Sequence, residues 1–221
     1  GLASHPSVCG MKMYLNNTHG DLLLSDTMIW DKHIQSWNCD LPICVHAESR
    51  TLGALLFIAS KYKKHIHVCH VSTEEEIELI KCAKSQGMNV TCEVAPHHLF
   101  LDDESLDDGL KAVKPPLAKR SDTEALWRNM NIIDCFATDH APHCISEKQS
   151  CGCPGFPGLE TALPLLLTAV QSHRLTIEDI VLRYHTNPSK IFHIAVDPDT
   201  YIDIDIDYQW KLPDRPQFSK C

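Results

Sequence analysis

Five short, nearly continuous apolar runs, each leading into a helical or turn-rich stretch, constrain this chain more than anything else in it. They are 7–14 (SVCGMKMY), 41–46 (LPICVH), 65–71 (HIHVCHV), 89–94 (NVTCEV) and 132–138 (IIDCFAT). Runs of this length without polar alternation suit parallel strands covered on both faces. Parallel strands need crossovers, and the intervening segments supply them. Residues 48–62 read as a helix. Ser72 with Glu75 has capping-box spacing ahead of EEEIELIKCAKS, a helix with Ile77, Ile80 and Ala83 on one face that stops at Gly87. Residues 158–171 and 177–184 also read as helices. Asn187-Pro188 ends the second of them, and 189–193 forms a short terminal helix. The stretch 144–157 (CISEKQSCGCPGFP) reads as a loop. The strict alternation of 201–208 (YIDIDIDY) reads as a half-exposed strand of a separate β unit.

Five strand–helix units make an α/β protein, about the last five units of a (β/α)8 barrel. Residues 1–197 are expected to belong to the barrel and 198–221 to a truncated accessory β segment. Barrel enzymes keep their chemistry where strands end. The residues there are Lys12, His46, Cys69 with His70, Glu93, and Asp139 with His140. Two histidines and an aspartate from three strands suit zinc. One such histidine alone reads as a hydrogen-bonded core residue, and Asp139 alone as a helix cap. Lys12 has two readings: it snorkels to solvent between Met11 and Met13, or desolvation keeps its amine neutral and reactive toward CO₂. The carbamate so formed would be an anionic, metal-bridging ligand.

The charge of −9, from 20 basic and 29 acidic residues, speaks against a nucleic-acid partner. No apolar run approaches the ~20 residues of a membrane span, and no leader pattern opens the chain. Eleven cysteines scattered through apolar runs read as reduced thiols and a cytoplasmic setting.

The motifs GMKMYLNNT, VHAES, HVCHV, VTCEVAPHHLFL, CFATDHAPH and GFPGLETALPLLLTAV carry a family likeness. On them the chain resembles, from Gly10 to about Ser219, the dihydroorotase domain of the animal multifunctional pyrimidine-synthesis polypeptide, within the amidohydrolase superfamily. The resemblance implies a zinc-dependent cyclic amidohydrolase. It would interconvert N-carbamoyl-L-aspartate and L-dihydroorotate in pyrimidine synthesis, as a homo-oligomer inside a larger polypeptide. It further implies that carbamylated Lys12 bridges two zinc ions, that His46 and His70 bind the second, and that Asp139 binds the first and shuttles the proton. Cys69 and Glu93 match ligands of a third zinc described for this subgroup, although Cys69 reads equally as a buried free thiol. Thr18 matches the threonine of a mobile substrate loop, and His143 and Pro154 match substrate contacts.

The chain departs from the family pattern in three places. Lys114 stands where the family has the arginine that grips the substrate carboxylate, and His19 replaces an aromatic neighbour of the loop threonine. No His-x-His pair precedes Lys12, and His65 and His67 lie on the wrong strand to replace it. The expectation is a partial sequence that is inactive when isolated. Two rival readings remain. One is another cyclic amidohydrolase (dihydropyrimidinase, hydantoinase or allantoinase). The other is a catalytically silent, structural dihydroorotase-like domain.

Overall fold

The computed structural model describes residues 2–209 and 211. Five strands form one sheet in the order β1-β2-β3-β4-β5: Met11–Tyr14, Ile43–His46, Ile66–Val68, Val90–Val94 and Cys135–Phe136. Every neighbouring pair is parallel. The sequential order of parallel strands is that of one stretch of a barrel wall, as the five apolar runs imply. The strands are shorter than the runs, because the flanking residues bend into turns; 69–71 stay buried there, whereas Ser7 and Cys9 are exposed.

Register sorts the side chains into two faces. Met13, Val45, Val68 and Cys92 are matched across the sheet and are all buried. They meet Ile34 of α1 (Thr27–Ser36), Leu52 and Leu55 of α2 (Ser49–Ala59), and Ile77 and Ile80 of α3 (Glu74–Ser85) in one apolar core. Each such side chain stabilises by about 1.5–3 kcal/mol relative to exposure. The row one residue earlier, Lys12, Cys44, His67 and Thr91, points to the opposite face. That face carries the chemistry.

Several elements differ from expectation. The cap of α3 is one residue later than its first serine suggests. Thr73 accepts from the Glu76 N–H, and Glu76 reaches back to the Thr73 N–H. Ser72 is thereby freed to bind Glu76 through its own N–H and hydroxyl. The helical path that begins at α8 (Ile177–Val181) is not ended by Asn187-Pro188, since α9 (Asn187–Ile191) starts there. It runs on through a wide π turn, Leu182–Thr186, with Pro188 in the first turn of α9, where no amide is needed. The 144–157 segment is not wholly a loop, since Ile145–Cys151 forms helix α6. α4 (Pro96–Phe100) and α5 (Arg120–Arg128) also form.

The alternating 201–208 segment is not a strand. Tyr201, Ile202 and Tyr208 are largely exposed, and its backbone is met by the Gln171 amide at Ile206 O (2.7 Å) and by a local turn. Alternation decides which side chains share a face. A strand also needs a partner for its N–H and C=O groups, and none lies alongside. Residue 210 and residues 212–221 of the expected accessory segment lie outside the described residues.

Candidate active site

The site is built where β2, β3 and β5 end. His46 closes β2 and is fully buried. β3 stops at Val68, so Cys69 and His70 are already free of strand alternation and take different directions. His70 achieves this with φ 37°, a left-handed backbone that is costly for a non-glycine residue. Ser49 (φ 44°) and Asp139 (φ 46°) share the conformation just beyond β2 and β5. Left-handed, non-glycine residues at three strand ends on one rim mark a functional site more than a folding requirement.

His46 Nδ1 lies 3.0 Å from His70 Nε2, and His46 Nε2 lies 3.1 Å from Glu48 Oε1. The two rings meet edge to face at 4.7 Å. Burial, reinforced by Lys12 and His46, holds His70 well below the ordinary histidine pKa, so its imidazole is neutral. Its Nδ1 is buried without a protein partner. Lys12, His46, His70 and Asp139 line one cavity of about 240 Å³ together with Thr18, Lys114 and Pro154. Burial and the Glu93 charge raise the Asp139 carboxyl above the usual aspartate range, against the pull of Lys12 and His46.

Lys12 is accessible on the open side of the sheet and yet crowded from below. Desolvation opposes its charge, but Cys69 and Glu93 outweigh it and raise the pKa above the ordinary lysine value. As the residues stand, desolvation does not keep this amine neutral. Glu93 accepts from His67 Nε2 (3.0 Å). Burial works against its charge, and that bond together with Lys12 holds its pKa below normal. The contact with Cys44, together with burial, pushes the buried Cys69 thiol well up, while the same contact brings Cys44 down to about 7. Cys69 and Glu93 therefore sit behind Lys12, in the sheet interior.

Thr18, Lys114 and Pro154 also border a second cavity of about 480 Å³ that continues from the first. His143 stands apart from both. It lines an apolar cavity with Phe156 and Pro157, with its ring 6.2 Å from His19 and its Nδ1 3.8 Å from Glu147. His140 has a scaffolding task, its Nδ1 accepting from the Gly158 and Leu159 N–H groups. Gly155 allows the same loop to press on the β5 rim, since a Cβ there would fall 2.3 Å from Ala141 O. His67, Cys44 and Tyr14 complete the inward face; their signal was a polar or sulfur residue placed inside an apolar run.

The donor chemistry fits a zinc ion at the histidine pair: two buried imidazoles, one held neutral, with facing nitrogens and the Asp139 carboxyl on the same cavity. Among the described residues, no group of three His, Cys, Asp or Glu side chains is gathered closely enough to cage a metal. No helix among the described residues is long and apolar enough to cross a membrane.

No family profile matches the chain. Curated relatives do. The multifunctional protein CAD of Squalus acanthias is 50% identical over 218 residues, which is 97% of this chain and 10% of that protein. The dihydroorotase of Pyrococcus furiosus is 41% identical over 149 residues, 67% of this chain and 35% of that protein. The chain thus spans about a tenth of the multifunctional relative and about a third of the dihydroorotase. Among solved structures, the inactive dihydroorotase-like domain of a Chaetomium thermophilum CAD-like multifunctional protein superposes with TM-score 0.73 at 28% identity. That match covers 96% of this chain and 62% of the other. Dihydropyrimidinase from Brevibacillus agri superposes at 0.80 with 18% identity, covering 87% and 52%, a likeness of fold alone.

Proposed function

Since the chain belongs with the dihydroorotase domain of the CAD-type multifunctional proteins, we propose that it supplies part of a zinc-dependent dihydroorotase site. The reaction is the interconversion of N-carbamoyl-L-aspartate and L-dihydroorotate in pyrimidine synthesis. The observation that carries this reading is the convergence of Lys12, from within β1, with His46, His70 and Asp139, at or beyond the ends of β2, β3 and β5, on one cavity.

His46 and His70 are the residues that would hold a zinc ion, on the cavity that Lys12 and Asp139 also line. When bound, the ion polarises the ring amide carbonyl and lowers the pKa of water. Asp139 takes the proton from the attacking water and returns it to the leaving nitrogen, a task to which a carboxyl raised above its usual range is suited. Lys114 meets the substrate carboxylate with a point charge in place of a guanidinium fork. Thr18 and Pro154 line the same cavity and would contact the substrate there. Carbamylation of Lys12 would remove the ammonium that Cys69 and Glu93 favour. It would therefore need the metal to bind alongside it.

A structural, catalytically silent role is the second reading, favoured by the likeness to the inactive Chaetomium domain and by Lys114. One experiment separates the two. The 221-residue chain is assayed for zinc binding by itself. It is then fused behind the preceding region of the Squalus relative and assayed for hydrolysis of dihydroorotate and dihydrouracil. The expected result is zinc binding without turnover in the chain alone, and turnover of dihydroorotate in preference to dihydrouracil in the fusion. A fusion that binds zinc and hydrolyses neither substrate would establish the silent reading. Preference for dihydrouracil would move the chain to the dihydropyrimidinases.

A further inference from the structure

Two cysteine pairs face each other among the described residues. Cys44 and Cys69 do so inside the sheet, where Cys69 is buried. Cys151 and Cys153 do so at the surface, with their sulfurs 3.3 Å apart. The local fold explains the second pair. Cys151 is the last residue of α6, and its thiol donates to the Glu147 carbonyl at 3.0 Å. Gly152 follows at φ 60°, a left-handed helix end that turns the chain so that the residues on either side of it present their side chains together. Lys148 then anchors the next stretch, donating to Ala112 O and Gly155 O at 2.8 Å and to Cys153 O at 3.4 Å. The turn is therefore preformed, and little conformational entropy is lost in joining the two sulfurs.

We propose that Cys151 and Cys153 are a thiol modification site that a low-molecular-weight disulfide, such as glutathione disulfide, oxidises to an intraloop disulfide. The exposed Cys151 thiolate attacks one sulfur of the small disulfide, breaking its S–S bond. One glutathione thiolate leaves, and a mixed disulfide remains on Cys151. Cys153, as thiolate, then attacks the Cys151 sulfur, and the second glutathione thiolate leaves. The protein loses two electrons and two protons. The small disulfide gains both and becomes two thiols. The sulfurs need only close from 3.3 Å to the ~2.05 Å of a disulfide bond. Exposed disulfides are among the labile ones.

The position matters to the site. Gly152 and Pro154 border the cavity shared with Thr18 and Lys114, and Pro154 and Gly155 border the one shared with Lys12 and His46. A ring closed at 151–153 fixes one wall of both cavities. That consequence is of catalytic interest only if the dihydroorotase reading holds; the disulfide itself does not depend on it.

The test equilibrates the 221-residue chain in glutathione buffers of increasing oxidised fraction. Samples are then acid-quenched, alkylated and analysed by peptide mass. The expected product is a peptide covering 145–157 that lacks two hydrogens and does not involve Cys144. It should be unchanged in C144S and absent in C151S and C153S, and C153S should instead accumulate the glutathione adduct on Cys151. Pairing of Cys144 with either partner would overturn the proposal. So would a lasting glutathione adduct on Cys151 in the unsubstituted chain, or no oxidation at 151 and 153 across the series. Backbone amide exchange over 152–158, compared between the reduced and oxidised chains, reads the effect on the wall. Slowing supports it, and identical exchange refutes the coupling to the cavities.

Discussion

Glu76 shows how the rim that carries the histidines is held, and its removal has a size that follows from its bonds. The side chain is 2% exposed. One carboxylate oxygen accepts from Ser72 N (2.9 Å), Ser72 Oγ (3.2 Å) and Thr73 N (3.1 Å), and the other accepts from Ser49 N (3.1 Å). It thereby ties the turn after His46 to the turn after His70. Glu76→Ala leaves three backbone N–H groups without their acceptor. At about 1–3 kcal/mol for the unsatisfied buried Ser72 donor, and less for the half-buried Thr73 and Ser49 donors, the loss is about 2–3 kcal/mol. With a urea slope of about 2–3 kcal/mol per M, the unfolding midpoint falls by about 1 M. Glu76→Gln keeps one acceptor oxygen and turns an amide N–H₂ toward the other donors, for about half that loss. Urea unfolding followed by tryptophan fluorescence at neutral pH reads both. A Glu76→Ala midpoint within about 0.2 M of the parent, at unchanged slope, refutes the reasoning; so does a Gln variant weaker than Ala.

The same residue has a pH signature. Burial raises the Glu76 pKa despite its four hydrogen bonds. A carboxyl whose folded pKa lies above its unfolded value favours the fold most when it is protonated. Its contribution is therefore present below the ordinary glutamate range, about 4, and declines as pH rises through the window up to the folded value. Relative to Glu76→Gln, which has no such titration, the parent should lose stability across that window as pH rises. A gain across it would contradict the burial argument.

Further outcomes are expected at the site itself. In the active fusion, Asp139→Asn should lower kcat/KM for dihydroorotate by about 100-fold or more, and a loss under tenfold would reject Asp139 as the proton carrier. Zinc at about 100 times its Kd should stabilise the 221-residue chain by about 2.7 kcal/mol in a thermal melt, and His46→Ala or His70→Ala should each abolish that gain. Retention of the gain in either variant would remove that histidine from the ligand set. Lys114→Arg should lower KM with little change in kcat, because a bidentate fork replaces a point charge; an unchanged KM would place Lys114 away from the substrate carboxylate.

What could be read in the sequence divides along physical lines. The five strands were legible because a parallel strand must be apolar on both faces, which leaves a run that no amphipathic helix produces. His46, His70 and Asp139, at or beyond strand ends, stand out in the sequence for the same reason, since each ends such a run; Lys12 stands out by breaking one, but it lies inside β1 and not at its end. Helices whose buried stripe is thin were not. α1 buries only Trp30 and Ile34, and α5 sets Ala125, Leu126 and Trp127 among charged residues. α6 hides in a segment whose Gly, Pro and Cys residues argue for a loop. The YIDIDIDY stretch failed in the opposite direction, because a strong local pattern had no neighbouring strand to pair with.

Cys44 and His67 mark the deeper limit. Cys44 stands alone inside an apolar run and reads as a small hydrophobe, and His67 reads as one half of a His-x-His pair on the wrong strand. Their meaning comes from register, which pairs Lys12 with Cys44 and Cys44 with His67 across three strands separated by more than twenty residues each. Sequence fixes the period of a strand but not its offset against the next, and a slip of one residue would turn each of these groups into the helix-packed core. The offset is set instead by contacts such as Glu76 bridging two turns and Asp134 accepting from both Cys92 N and Lys84. The inward row of lysine, thiol and imidazole therefore rests on a few buried polar ties outside the cavity. Weakening those ties should perturb zinc affinity before it unfolds the chain.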